Sequence, residues 1–220
     1  PAILTVSIAC WKCAQERGLL EGALRPAFVA GHSLGEYTSL VASGVLSFED
    51  ALRLVRERGR LMEEAGKKQP GGMVALLGLN EGAAQEICRM TGTEIANINC
   101  TGQIVISGSK NALSEGMNVP RAKGAKRAIS LDVSGAFHSS LMGWAKRGLE
   151  RVLTALRFHH PKILIVANTT ARSLSRAHAV RAELREQLCH CVQWKQSVEF
   201  MRKQGVDTFV EVGPGSVLTG

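Results

Sequence analysis

Leu4, Ile8 and Trp11 recur at i, i+4 and i+7, the spacing of one helix face, and predict a helix over residues 2–17. Pro1 suits its first turn, where a missing N–H costs nothing. The apolar run Pro26-Ala27-Phe28-Val29-Ala30 predicts a short strand over Arg25–Ala30 that ends at Gly31. Helices are predicted over Leu34–Ala42 and Ser47–Ala65, the second with Ser47 and Asp50 placed to cap its N-terminus. Residues 66–72 are rich in Gly, Lys and Pro and mark a candidate boundary.

Beyond that boundary the periods shorten. Met73–Leu79 reads as a strand, Glu81–Met90 as a helix, Glu94–Asn99 as a strand and Gln103–Ser107 as another after a Thr101-Gly102 turn. A helix over Lys110–Met117 and a strand over Lys126–Val133 complete a β-α-β-β-α-β order in about sixty residues, the ferredoxin-like arrangement. After His138 the spacing lengthens again: helix Leu141–Leu156, strand Ile163–Asn168, helices Ala179–Leu188 and Trp194–Gln204, and strand Thr208–Val212. Ser216–Gly220 reads as the start of a further helix. Apolar strands alternating with helices imply an α/β fold, a parallel sheet covered on both faces. The expected division is residues 1–70 with 135–220 as the larger unit, and 71–134 as an inserted ferredoxin-like subdomain. Both ends cut into expected elements, so the chain reads as a fragment.

Composition narrows the function. The chain has 220 residues, 45% apolar and 21% charged, an ordinary globular balance with enough length for a real core. No apolar run approaches the ~20 residues that cross a bilayer, and no repeat is evident. The net charge of +8 favours anionic partners. Nucleic acid is a poor candidate, because the ten aromatic residues are not interleaved with the basic ones as stacking platforms. Cys10, Cys13, Cys189 and Cys191 could be drawn as a zinc site. The helical spacing of the first pair and the lack of a second Cys-x-x-Cys favour ordinary helix positions, and no metal is expected.

The chemistry centres on Gly31-His32-Ser33-Leu34-Gly35. A Gly-x-Ser-x-Gly between a strand and a helix is the context of a nucleophile elbow, which lifts the serine to the tip of a sharp turn. The Leu34 N–H would then sit at a helix N-terminus, suited to a developing oxyanion. The bland alternative is a glycine-rich strand-to-helix turn. A serine nucleophile needs a base. His159, His160 and His178 fall in polar connections; His32 precedes the serine and could line its pocket. His138 lies where the inserted segment returns to a helix, a place that can face a cleft, although a surface histidine fits that spacing too. Neither Asp50 nor Asp132 is persuasive as a triad acid, and a histidine held by a carbonyl fits as well. Arg58 stands apart from the other arginines of its helix. Its i±3 and i±4 neighbours are Leu54, Val55, Leu61 and Met62, whereas Arg53 and Arg60 have charged neighbours. A guanidinium turned inward needs an anion, either an internal carboxylate such as Glu36 or the carboxylate of a substrate.

Six segments in order resemble motifs of the malonyl-CoA:acyl-carrier-protein transacylase family: residues 31–37, Arg58-Gly59-Arg60-Leu61-Met62, residues 102–108, Ser134-Gly135-Ala136-Phe137-His138, Val192-Gln193-Trp194 and Glu211-Val212-Gly213-Pro214-Gly215. The resemblance spans essentially the whole chain. It implies an α/β-hydrolase-like domain with a ferredoxin-like insertion. It implies Ser33 as the acyl-accepting nucleophile, His138 as its base and Arg58 as the holder of the malonyl carboxylate. It further implies that the Gln187 carbonyl orients His138, that Leu34 N–H is an oxyanion donor, and that His32 borders the malonyl pocket. Asn99 would lie near CoA, and Phe137 would disfavour a branched acyl group. The implied partners are malonyl-CoA and acyl carrier protein, with no cofactor, no nucleic acid and no membrane, in a cytoplasmic monomer, with organellar targeting left open. Two departures stand out. The family's first strand and its Gly/Gln-rich loop, which supplies a second oxyanion donor, do not precede Pro1; loss of one such donor costs about 10²–10³ in rate. Cys189-His190-Cys191 replaces a Pro-containing turn after Gln187. The alternatives are the acyltransferase domain of a polyketide or multidomain fatty-acid synthase, a serine hydrolase or thioesterase, and an inactive carrier-protein-binding module.

Overall fold

The computed structural model describes residues 1–122 and 124–219. The elements in chain order are α1 (Ala2–Glu16), β1 (Phe28–Ala30), α2 (Leu34–Ala42), α3 (Phe48–Lys68), β2 (Gly71–Leu77), α4 (Glu81–Thr91), β3 (Glu94–Cys100), β4 (Gln103–Ser109), α5 (Lys110–Ala122), β5 (Arg127–Ser130), α6 (Gly143–Ala155), β6 (Leu164–Val166), β7 (Ser173–Leu174), α7 (Ala177–Gln187) and α8 (Trp194–Lys203). Single 3-10 turns cover Gly22–Leu24 and Ser140–Met142. The cap expected at Ser47 is present, its Oγ accepting the Asp50 N–H at 3.1 Å.

Two sheets organise the fold. In the smaller, β1 and β6 pair in parallel through Val29↔Ile165, and the two-residue β7 adds an antiparallel edge. The second is antiparallel in the order β3-β4-β2-β5, with α4 and α5 packed on it, the ferredoxin-like order. The main core lies between α1, α2, α3, α6 and α7 around the parallel pair, and includes Leu4, Tyr37, Leu40, Leu54, Leu149 and Ile165. A smaller core fills one face of the antiparallel sheet with Val74, Leu76, Ile87, Ile104 and Ile106. The loop before α8 is tied to the antiparallel sheet by Val192, whose N–H and carbonyl bond to Ala96 and Ile98 of β3 at 2.8 and 3.0 Å.

Several expectations need correction. The predicted strand Thr208–Val212 is not a strand. Phe209 and Val210 are exposed, and among the described residues nothing forms a ladder with them. An apolar run becomes a strand only where a neighbour accepts its backbone bonds. The expected helix at the end is a turn: the Leu218 and Thr219 amides donate to the Glu211 carboxylate at 3.1 and 3.0 Å, and Gly220 lies outside the described residues. The β1–β6 pair is parallel as expected, and the two-residue β7, which the sequence pattern did not show, adds an antiparallel edge. His178 sits on α7, not in a connection.

Candidate active site

The turn from β1 to α2 is built around Gly31. A Cβ there would lie 2.0 Å from the Gly35 carbonyl carbon and 2.6 Å from the Glu36 nitrogen, so no larger residue fits. This close approach forces Ser33 to φ 52° and ψ −100°, a backbone state that L residues avoid. The strain is held by Asn168, just past β6. Its Oδ1 accepts the Ser33 N–H at 2.7 Å, and its Nδ2 donates to the Gly31 carbonyl at 2.8 Å. Leu34 opens α2, which places its N–H at the positive end of the helix dipole.

Opposite Ser33 stands His138, also at positive φ (58°) and almost fully buried. Its Nε2 lies 2.8 Å from Ser33 Oγ, and its Nδ1 lies 2.8 Å from the Gln187 carbonyl oxygen. That carbonyl can only accept, so Nδ1 carries the proton and Nε2 is free to accept from the serine hydroxyl. The carbonyl thus occupies the place of a triad acid, which neither Asp50 nor Asp132 fills. Burial, reinforced by the nearby Arg58 cation, pushes the His138 pKa down to about 3, so the imidazole is neutral at ordinary pH and its Nε2 is free to accept a proton. The loop that carries it is pinned by Ser139 Oγ donating to the Ala136 carbonyl at 2.7 Å. The Ser140 N–H and hydroxyl bind Glu94 of β3 at 3.0 and 2.6 Å.

Arg58 projects inward from α3 and is 6% exposed. Its Nη2 donates to Ser33 Oγ at 2.9 Å and to Gln187 Oε1 at 3.4 Å, and its guanidinium carbon lies 5.1 Å from the centre of the Tyr37 ring. None of the ion pairs among the described residues involves Arg58, and its Nε has no hydrogen-bond partner there. The internal carboxylate considered for it, Glu36, is instead bonded to Gln187 and Asn168. Arg53 and Arg60 are exposed, as their neighbours imply, and Arg60 pairs with Glu57 and Glu64. The guanidinium borders a cleft of about 530 Å³ lined also by Met62, Lys67, Ser134 and Phe137. Gly66 lets this wall form: a Cβ there would lie 2.2 Å from the Ser134 carbonyl oxygen.

His32 and Asn99 meet on the other flank, with Nε2 2.9 Å from Oδ1, and the imidazole tilts against Trp194 at 5.8 Å between centroids. Burial lowers the His32 pKa. Of the site residues that the resemblance implies, Ser33, His138, Arg58 and Gln187 bond within one network around Ser33 Oγ, whereas Phe137, Leu34 and the His32–Asn99 pair lie beside it. Sequence reasoning missed Asn168 and the side chain of Gln187. The signal for Asn168 was its position: the expected buried strand ends on it, and in α/β sheets site residues sit at carboxyl ends of strands. Among the described residues no group of three or more His, Cys, Asp or Glu could hold a metal ion.

A strained serine against a neutral, carbonyl-held imidazole can attack a carbonyl and pass a proton. A buried cation beside it selects a substrate that brings its own anion. Comparison with known proteins points the same way. The malonyl CoA-acyl carrier protein transacylase of Salmonella typhimurium is 42% identical over 224 residues, covering 100% of this chain and 71% of that protein. The crystal structure of an acyl carrier protein S-malonyltransferase from Vibrio cholerae superposes with a TM-score of 0.95 at 38% identity, covering 100% of this chain and 72% of that one. A malonyl-transacylase solved in complex with a type II polyketide synthase acyl-carrier protein superposes with a TM-score of 0.93 at 40% identity, covering 98% and 70%. The acyl transferase domain family matches residues 1–220, and the chain belongs to it.

Proposed function

We infer that the chain transfers a malonyl group from malonyl-CoA to the phosphopantetheine thiol of acyl carrier protein, in fatty-acid biosynthesis. The observation that carries this is Arg58: a buried guanidinium with no ion-pair partner among the described residues, 2.9 Å from a nucleophilic hydroxyl. A simple hydrolase or thioesterase acting on an uncharged acyl chain has no use for that charge.

In the first half-reaction His138 Nε2 takes the Ser33 hydroxyl proton as Oγ attacks the thioester carbon. Leu34 N–H, at the helix N-terminus, faces the developing oxyanion. The C–S bond breaks, His138 returns its proton to the sulfur, and CoA leaves as a thiol. In the second half the carrier thiol gives its proton to His138 and attacks the malonyl-Ser33 ester, and Ser33 leaves with that proton. Throughout, Arg58 holds the distal carboxylate through the fork that Arg offers. Gln187 carbonyl keeps His138 in the tautomer that this shuttle requires. His32 borders the acyl pocket, Asn99 reaches toward the CoA side, and Phe137 narrows the space beside the malonyl methylene. CoA and phosphopantetheine are substrates, and no resident cofactor takes part.

Residues 71–134 form the ferredoxin-like subdomain, whose last residue, Ser134, lines the cleft, and residues 1–70 and 135–220 carry the nucleophile and base. Among the described residues no helix is long and apolar enough to cross a membrane. A cytoplasmic monomer is the form we propose for it. Intact mass after brief incubation with malonyl-CoA tests the reading. A malonyl adduct is expected that disappears in Ser33→Ala and is not matched by acetyl-CoA. Equal acetyl and malonyl labelling overturns it.

A further inference from the structure

Glu36 stands three residues after Ser33 on α2, is 1% exposed, and has no part in the transfer steps above. Both groups bonded to its carboxyl are donors. Oε1 accepts the Asn168 N–H at 3.1 Å, and Oε2 accepts from Gln187 Nε2. Burial and the nearby Glu183 raise its pKa well above the ordinary carboxyl range, against the pull of Gln187, Asn168 and Arg58.

The Gln187 amide has two unlike ends, an NH₂ that only donates and an oxygen that only accepts. Nε2 lies between two acceptors, the Glu36 carboxyl and the Ser33 carbonyl, the latter at 2.9 Å. Oε1 faces a donor, Arg58 Nη2, at 3.4 Å. Rotating the amide by half a turn would set its NH₂ against the guanidinium and its oxygen against two acceptors. The group at position 36, together with the Ser33 carbonyl, therefore sets which end of Gln187 Arg58 meets.

We propose that Glu36 is a positioning residue for malonyl selection: by holding the NH₂ of Gln187 it turns the amide oxygen onto Arg58 and so seats the guanidinium beside Ser33. This rests on the malonyl-transfer reading above. Glu36→Gln tests it with little change in shape. Gln at 36 keeps one acceptor for the Asn168 N–H but sets its NH₂ against that of Gln187. Gln187 either shifts away or turns its NH₂ toward Arg58 at the expense of its bond to the Ser33 carbonyl, and in both cases the Oε1 contact to Arg58 is lost or weakened.

The measurement is the ratio of kcat/KM for malonyl-CoA to that for acetyl-CoA. Damage to the fold or to the dyad lowers both terms together and leaves the ratio alone. Glu36→Gln is expected to lower it about three- to tenfold, the worth of one long hydrogen bond. Gln187→Met removes the amide, keeps the carbonyl that binds His138, and is expected to lower the ratio as much. The double variant is expected to go no further than either single one. If Glu36→Gln does not fold, Glu36→Met, which removes the acceptor for the Gln187 NH₂ at similar volume, carries the test. An unchanged ratio in the folded variant, or additive losses in the double one, overturns the proposal. A wild-type chain without malonyl preference overturns instead the functional reading beneath it.

Discussion

Replacing Arg58 with Met removes the charge and keeps most of the buried volume. The free site satisfies the guanidinium through Ser33 Oγ at 2.9 Å, Gln187 Oε1 at 3.4 Å and the Tyr37 ring. Acylation turns Oγ into an ester oxygen, a much poorer acceptor. With acetyl the cation then keeps one weak polar partner, whereas malonyl returns a carboxylate to it. Leaving one member of such a buried pair alone costs roughly 2–5 kcal/mol. At 1.4 kcal/mol per decade, that is about 30- to several-thousand-fold in kcat/KM. Arg58→Met should lose about that factor for malonyl-CoA and gain for acetyl-CoA, so the preference collapses from both sides. Removing a buried, unpaired charge is neutral or stabilising for the fold, and the melting temperature should hold or rise. A second signature follows from His138, whose pKa Arg58 helps to depress. The His138 base works only when unprotonated, and Arg58→Met raises its pKa. The acid limb of acyl-enzyme formation should therefore move to higher pH, read with acetyl-CoA as donor. Rapid-quench mass spectrometry of the acyl-enzyme with each donor, from pH 2.5 to 7, brackets the His138 pKa of about 3 and measures both effects. Malonyl labelling within threefold of wild type, or an unmoved acid limb, would refute the assigned place of Arg58.

Three further outcomes follow from the same geometry. Asn168→Leu leaves the Ser33 N–H and the Gly31 carbonyl without their partners and should cost roughly 2–6 kcal/mol by urea unfolding, at about 1–3 kcal/mol per stranded group; a loss below 1 kcal/mol would mean the elbow holds without it. Gly31→Ala places a methyl inside the Gly35 carbonyl and should give no soluble folded protein or no Ser33 labelling, read by circular dichroism and mass spectrometry. His138 has a folded pKa of about 3 and an unfolded one near 6.5. Between these values only the unfolded chain binds the proton, so this residue's contribution is full above pH 6.5 and fades as pH falls toward 3. Glu36 acts with the opposite sign, its raised pKa favouring the folded state as pH falls. The difference in stability between wild type and His138→Gln should therefore shift in favour of the variant from pH 7 to pH 4, and a pH-independent difference would contradict the buried, neutral imidazole.

Much of this site could be read along the chain because its logic is local. The elbow needs only a strand, two glycines and a helix start, and all lie within residues 28–42. The inward turn of Arg58 follows from the apolar residues a turn away, and in the structure Leu54, Val55, Leu61 and Met62 are all buried with it. The β-α-β-β-α-β order was equally legible, since each element carries its own period. What stayed hidden depends on pairing across distance. The two-residue β7 has no period to read and exists only because β6 offers it an edge. Thr208–Val212 carries a strand-like sequence and finds no such edge among the described residues. Asn168 and Gln187 contact Ser33 from positions 135 and 154 residues away, and amides sit as readily in solvent as in a site.

The same contrast explains how selectivity is built. The reactive pair is cheap to specify: a strained serine and an imidazole on a carbonyl give nucleophilicity toward any thioester. Choosing malonyl requires a cation to remain buried and correctly aimed while its anion is absent. That is costly unless the waiting cation is occupied, and here Ser33 Oγ and Gln187 Oε1 occupy it. Both are surrendered or weakened once the acyl group arrives, so the carboxylate gains most in the acyl-enzyme and its flanking transition states. Interactions that strengthen there raise turnover rather than merely tightening binding. The amide at 187 links the two halves of this arrangement, since its carbonyl sets the base and its side chain sets the cation. A substitution that touches the side chain but spares the carbonyl should separate them, altering which acyl group is accepted and leaving the proton shuttle in place.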